Sequence, residues 1–93
     1  MKAVLLDRDG VINRLVYHHD AGVIDSPFTV SQFELLPGVP QAIRRFNELG
    51  LGVAVVSNQP GIAKGYLTEE VLEGFRQKML SEVAEAGGRI DAI

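Results

Sequence analysis

Apolar residues fall into two short unbroken runs and two longer periodic stretches. Ala3 to Leu6 is apolar without alternation, the pattern of a strand covered on both faces, as in parallel sheets. Val53 to Val56 repeats the pattern with β-branched residues, bounded by Gly52 before and by Ser57-Asn58-Gln59-Pro60-Gly61 after. Between the two runs, Pro37, Gly38 and Pro40 open a helix in which Val39, Ile43 and Phe46 share one face, and Gly50 supplies the stop. After the second run, Thr68 serves as an N-cap, with Glu69 and Glu70 placed against the positive end of the helix dipole. Val71, Phe75 and Met79 follow on one stripe, Gly87-Gly88 ends the helix, and Ile90 to Ile93 begins a third strand. From Asn13 to Phe33 no period holds, and Gly22, Asp25, Ser26 and Pro27 punctuate the stretch as a loop. A loop of this length inside a compact domain is usually functional.

Strand, helix, strand, helix, strand implies an α/β domain, a Rossmann-like parallel sheet with right-handed crossovers and helices on both faces. With 93 residues, 46% hydrophobic and 23% charged, the chain is one globular domain or a piece of one. A net charge of -3 with no Lys/Arg cluster argues against a nucleic-acid partner. There is no cysteine, hence no disulfide framework and no thiolate metal site. The apolar run at the start stops at Asp7, too early for a signal peptide or membrane span, so a soluble, cytoplasmic protein without a membrane partner is expected.

Ligands of open α/β sheets collect at the carboxyl ends of the strands, where Asp7-Arg8-Asp9 and Ser57-Asn58-Gln59 both fall. Two carboxylates separated by one residue after a buried strand can converge on a divalent cation while one keeps an oxygen free to attack phosphorus. Asp7, which directly ends the strand, is the better nucleophile; Asp9 could protonate the departing alkoxide and later take a proton from water. Gly10 lets the backbone approach a ligand, and the peptide N–H groups following the strand can form an anion nest. Ser57 and Asn58 offer a hydroxyl and an amide to the same phosphate oxygens. An Asp-x-Asp or a Ser-Asn pair after a strand is also ordinary turn chemistry, and only their convergence favours a site.

These residues match a known pattern. Asp7-Arg8-Asp9-Gly10-Val11-Ile12-Asn13 resembles the first motif of the haloacid-dehalogenase superfamily of phosphatases, and Val55-Val56-Ser57-Asn58-Gln59 resembles the second. Phe33-Glu34-Leu35-Leu36-Pro37-Gly38-Val39 and Asn58-Gln59-Pro60-Gly61-Ile62-Ala63-Lys64-Gly65 are similar to the histidinol-phosphatase and heptose-bisphosphate phosphatase branch. The resemblance implies a Mg²⁺-dependent phosphatase acting on a small sugar or polyol phosphate through an aspartyl-phosphate. Residues 1–93 would be the N-terminal part of one such domain, incomplete at the C-terminal side. It assigns Asp7 as nucleophile and Mg²⁺ ligand, and Asp9 as acid/base that binds the metal through its carbonyl. Ser57 would steady the phosphoryl group, Asn58 and Gln59 would hold substrate, and the loop from Asn13 towards His18 would line the entrance. The phosphate-binding lysine or arginine and the later acidic motif of that family have no counterpart here, which leaves open a catalytically incomplete fragment that binds phosphate or Mg²⁺ or needs a complementary half.

The family sheet places further strands beside the first, so Val4 and Leu6 are expected on an open apolar edge that invites self-association. His18-His19-Asp20 reads as a solvated loop rather than a metal site, because adjacent histidines diverge and lack a third partner. Arg44 and Arg45 read as helix surface, and Phe46, Phe75 and Met79 as core. Lys64, in the loop after the second strand, is the exposed cation kept as a possible substrate contact.

Overall fold

The computed structural model describes residues 2–20, 22–25, 27–56 and 68–93. In chain order these form β1 (Ala3–Asp7), β2 (Val16–His18), β3 (Val23–Asp25), a 3₁₀ turn (Val30–Gln32), α1 (Val39–Glu48), β4 (Gly52–Val56) and α2 (Glu69–Glu85). β1 and β4 pair in parallel, from Ala3 opposite Gly52 to Asp7 opposite Val56. The other edge of β4 meets the segment after α2. There Val55 donates its N–H to the Ala92 carbonyl at 2.8 Å, and Ala54 and Ala92 form a parallel bridge. The third strand read at Ile90 to Ile93 is thus a single bridge in the predicted place.

Both helices obey their sequence signals. Gly38 precedes α1 and Pro40 lies in its first turn, where a missing N–H costs nothing. At its end Gly50 takes φ 81, and the N–H groups of Gly50 and Leu51 reach back to the carbonyls of Asn47 and Phe46, both at 3.0 Å. That double closure satisfies carbonyls the helix leaves orphaned. The Thr68 hydroxyl caps α2 by accepting the Val71 N–H at 3.2 Å. Gly87 and Gly88 close the other end onto Ala84 and Val83, each at 2.9 Å.

The core lies between the sheet and the helices. Ile12, Phe33, Val55, Phe75 and Met79 form one buried cluster, and Ile43, Val53 and Val83 form a second, with Leu6 packed against both. Val53 and Val55 share a face of β4, so α1 and α2 stand on the same side of the sheet. The opposite side of β1 is uncovered: Leu5 is 70% exposed. Coverage of this strand on both faces, as its apolar run suggested, is therefore not found among the described residues. Val4 and Leu6, expected at an open edge, are half-buried towards the helices. The physical reason is the two-residue period of a strand, which an unbroken apolar run hides.

The stretch read as a loop also differs. β2 and β3 pair antiparallel, Val16 opposite Asp25 and His18 opposite Val23, and the turn closes through the Gly22 N–H on the His18 carbonyl at 2.8 Å. Strands of three residues are too short to display a period. Surface pairs behave as read, with Arg44 and Arg45 both reaching Glu48. Among the described residues no helix is long and apolar enough to cross a membrane.

Two predictions follow from this packing. Gly74 sits in α2 where a Cβ would lie 2.5 Å from Val30 Cγ2. Gly74→Ala should lower stability by about 1–3 kcal/mol despite its better helix propensity, and Val30→Ala added to it should restore most of the loss in urea unfolding. Asp91 accepts the Val53 N–H at 2.8 Å and pairs with Arg89 at 2.6 Å. The Val53 N–H first, and the guanidinium second, hold its carboxyl below the usual aspartate value. A carboxyl depressed by folding stabilises above its unfolded pKa, and that contribution is lost as pH falls through the folded value. The urea midpoint of Asp91→Asn should therefore fall less on acidification than that of the unaltered chain.

Candidate active site

The alternation of β1 continues past its end. Val4, Leu6 and Arg8 point towards the helices, while Leu5 and Asp7 face away. Arg8 is consequently 5% exposed, and its guanidinium carbon lies 5.2 Å from the ring centre of Phe75 and 5.9 Å from that of Phe33. The two rings stack 4.9 Å apart. A buried guanidinium is tolerable only when its charge is answered, and the aromatic faces do part of this. Asp9 does more: Arg8 Nε donates to Asp9 Oδ1 and Nη2 to Asp9 Oδ2, both at 3.3 Å.

The backbone then folds tightly. The Arg8 carbonyl accepts the N–H groups of Val11, Ile12 and Asn13, and the Arg8 N–H donates to Val56 at 3.1 Å, tying the turn to the end of β4. Gly10 adopts φ 85, a conformation glycine reaches without strain, and gives its N–H to the Asn13 carbonyl at 2.8 Å. The N–H groups of Gly10, Val11, Ile12 and Asn13 are thus engaged within the turn, and Gly10 contributes the turn itself. Behind it, Asn13 forms a bridge with Leu35, and Leu36 donates to the Ile12 carbonyl at 2.8 Å. The segment from Phe33 to Leu36 is in this way the backing of the acidic turn.

The two carboxylates end in unlike surroundings. Asp7 is exposed, and no group pairs with its carboxylate among the described residues. Asp9 is held by Arg8 and by Asn13 Nδ2, which donates to Oδ1 at 3.0 Å, yet 20% of its side chain remains accessible. The Asp9 carbonyl accepts no backbone hydrogen bond among the described residues. An open carboxylate and, two residues on, a carbonyl without a backbone hydrogen bond among the described residues are hard oxygen donors of the kind Mg²⁺ takes, and Mg²⁺ completes its shell with water and phosphate oxygens. No group of three acidic, histidine or cysteine residues gathers among the described residues.

Of the other predicted site residues, Ser57, Asn58, Gln59 and Lys64 lie outside the described residues; Val56, directly before them, is the partner of Asp7. The stretch from Asn13 towards His18, expected to line an entrance, points partly inwards. Asn13 is fully buried, and His18, 8% exposed, stacks on Phe28 with ring centres 3.6 Å apart. His18 is therefore not part of a solvated loop, whereas its neighbour His19 turns to the opposite face and meets Tyr17 edge-on. Lys78 is tied to the Phe33 carbonyl.

Two residues escaped the reading of candidate sites. Arg8 and Asn13 both contact the Asp9 carboxylate. The signal for Arg8 was available in its spacing from Val4 and Leu6. A cavity of about 230 Å³ lies on the helix side of Arg8, lined also by Glu69, Glu73, Arg76 and Ile93. Asp7 is not among its walls. Glu73 there is held below the usual carboxylate range, chiefly by a hydrogen bond from Gln77 and then by Arg76.

A parallel α/β unit with an acidic turn at the end of its first strand is the arrangement of the haloacid-dehalogenase-like phosphatases, and the fold neighbours of the chain belong to that class. The crystal structure of D,D-heptose 1,7-bisphosphate phosphatase from Bordetella bronchiseptica, complexed with magnesium and phosphate, superposes over the whole chain and 48% of its own with a TM-score of 0.83 and 36% identity. The Burkholderia thailandensis enzyme of the same name gives a TM-score of 0.74 and 38% identity, over the whole chain and 51% of its own. No family model matches the chain.

Within that class the chain matches the N-terminal half of the heptose-bisphosphate phosphatase branch. D-glycero-beta-D-manno-heptose-1,7-bisphosphate 7-phosphatase of Pseudomonas putida is 40% identical over all 93 residues, which cover 49% of that protein. The chain thus spans about half the length of the curated relatives it matches.

Proposed function

We propose that the chain is the N-terminal part of a Mg²⁺-dependent phosphatase that hydrolyses a small sugar or polyol phosphate monoester, such as heptose 1,7-bisphosphate. The observation that carries this reading is the contrast within the acidic pair. Asp7 is open to an incoming phosphate, whereas Asp9 is restrained beside it. In this scheme an Asp7 oxygen attacks phosphorus, and the new Asp7–phosphorus ester forms as the bond to the sugar oxygen breaks. Asp9 gives its proton to that leaving oxygen, then takes one from the water that attacks the aspartyl-phosphate. Inorganic phosphate leaves and Asp7 is restored.

Mg²⁺, held by the Asp7 carboxylate and the Asp9 carbonyl, would supply neutralising charge to the phosphoryl oxygens. Ser57 would steady the phosphoryl group, while Asn58, Gln59 and Lys64 would hold the substrate. Gly10 shapes the turn on which both carboxylates stand. A cysteine-free chain acting on a phosphorylated metabolite suits the cytoplasm.

A second reading draws on the uncovered side of β1, where Leu5 is 70% exposed, and on the half-length match to the relatives. On this reading the chain binds phosphate or Mg²⁺ but turns over only with a complementary C-terminal half. The edge of β1 away from β4, unpaired among the described residues, then offers a template for another strand, including that of a second copy.

Assayed with Mg²⁺ and a panel of sugar phosphates, the chain should release phosphate, and Asp7→Asn should remove all measurable turnover. Mg²⁺-dependent phosphate binding without turnover would select the second reading. Light scattering at rising concentration should show association, and Leu5→Lys should reduce it; a monodisperse monomer throughout would refute the edge proposal.

A further inference from the structure

Resting on the phosphatase reading, we infer that Arg8 and Asn13 are positioning residues that fix which oxygen of Asp9 exchanges the proton. Oδ1 of Asp9 accepts from Asn13 Nδ2 at 3.0 Å and from Arg8 Nε at 3.3 Å. Oδ2 accepts from Arg8 Nη2 at 3.3 Å. The planar fork of the guanidinium sets the plane of the carboxylate, which a point charge such as lysine could not do. With two donors on Oδ1 and one on Oδ2, the free lone pair is on Oδ2, which leaves that oxygen to exchange the proton.

Both holders are themselves immobilised. Arg8 is nine-tenths or more buried against the rings of Phe33 and Phe75. Asn13 is fully buried, its Nδ2 also donates to the Arg14 carbonyl at 3.2 Å, and its backbone is locked by the bridges to Asp9 and Leu35. That second Nδ2 bond fixes the amide orientation, so Asn13 presents donors to Asp9. Its Oδ1 is buried without a hydrogen-bond partner among the described residues. A buried acceptor left unsatisfied is costly, and burial for packing alone would favour an apolar residue here. The donor facing Asp9 is what an apolar side chain would lack.

The role predicts a leaving-group signature. An alkoxide leaving group needs a proton from Asp9 as the phosphorus–oxygen bond breaks, whereas a nitrophenolate does not. Pre-steady-state release of the leaving group should be followed with a sugar phosphate and with p-nitrophenyl phosphate, for the unaltered chain, Arg8→Met, Arg8→Lys and Asn13→Leu. The expected result is a loss of about tenfold to a hundredfold on the sugar phosphate in Arg8→Met and Asn13→Leu, with less than about twofold on the aryl ester. Arg8→Lys, which keeps a cation over the rings without the fork, should recover only part of the loss.

A second readout does not depend on turnover. The Asn13 side-chain amide should give a slowly exchanging NMR signal that moves on Asp9→Ala. Equal losses on both substrates, or an Asn13 amide indifferent to Asp9→Ala, would overturn the inference while leaving the phosphatase reading intact. Absence of turnover in the unaltered chain overturns the catalytic reading and this role together.

Discussion

The structure of the acidic turn depends on the burial of one positive charge. Arg8 follows Leu6 by two residues on a strand, so its side chain enters the same helix-facing layer as Val4 and Leu6. An unanswered guanidinium there would be prohibitively desolvated. The stacked faces of Phe33 and Phe75 and the carboxylate of Asp9 answer it. Its backbone is no less engaged, since its carbonyl gathers three amides and its N–H joins the turn to β4. Packing, turn geometry and the placement of Asp9 are consequences of this one position.

From that constraint comes the division between the two acids. Asp7, one residue before Arg8, must face the other side of the sheet, where no described group opposes it. Asp9, one residue after, is drawn over the guanidinium and held by a second donor on Asn13. Two chemically identical side chains thus acquire different freedom, one open to attack and one directional. Division of labour between paired carboxylates generally comes from such unlike surroundings.

The same parity leaves the rest of the sheet asymmetric. Both helices and both core clusters occupy one side, and Leu5 stands exposed on the other. A domain of this size buries only about 60% of the surface its unfolded chain exposes, so apolar surface left open weighs heavily on its stability. The relatives that match the whole chain are about twice as long, and a solved structure superposes over the whole chain and about half of its own length.

Local chemistry made the elements legible in the sequence. Gly38 and Pro40 at the start of α1, Gly50 at its end, Thr68 before α2 and Gly87-Gly88 after it act through backbone geometry and hydrogen bonds within a few residues. The acidic turn was legible in the same way, because Asp7, Asp9 and Gly10 are close in the chain. The hairpin of β2 and β3 was not, since three residues per strand carry no period. Nor was the cover over Arg8: its spacing from Val4 and Leu6 signals the inward direction, but Phe33 and Phe75, whose rings receive it, are distant in sequence. The sequence by itself thus determined the parallel α/β order, the helix limits and the position of the acids. Only the tertiary structure decided that Arg8, Asn13 and His18 are buried, and hence which way Asp9 is held, because desolvation depends on residues that only folding brings together.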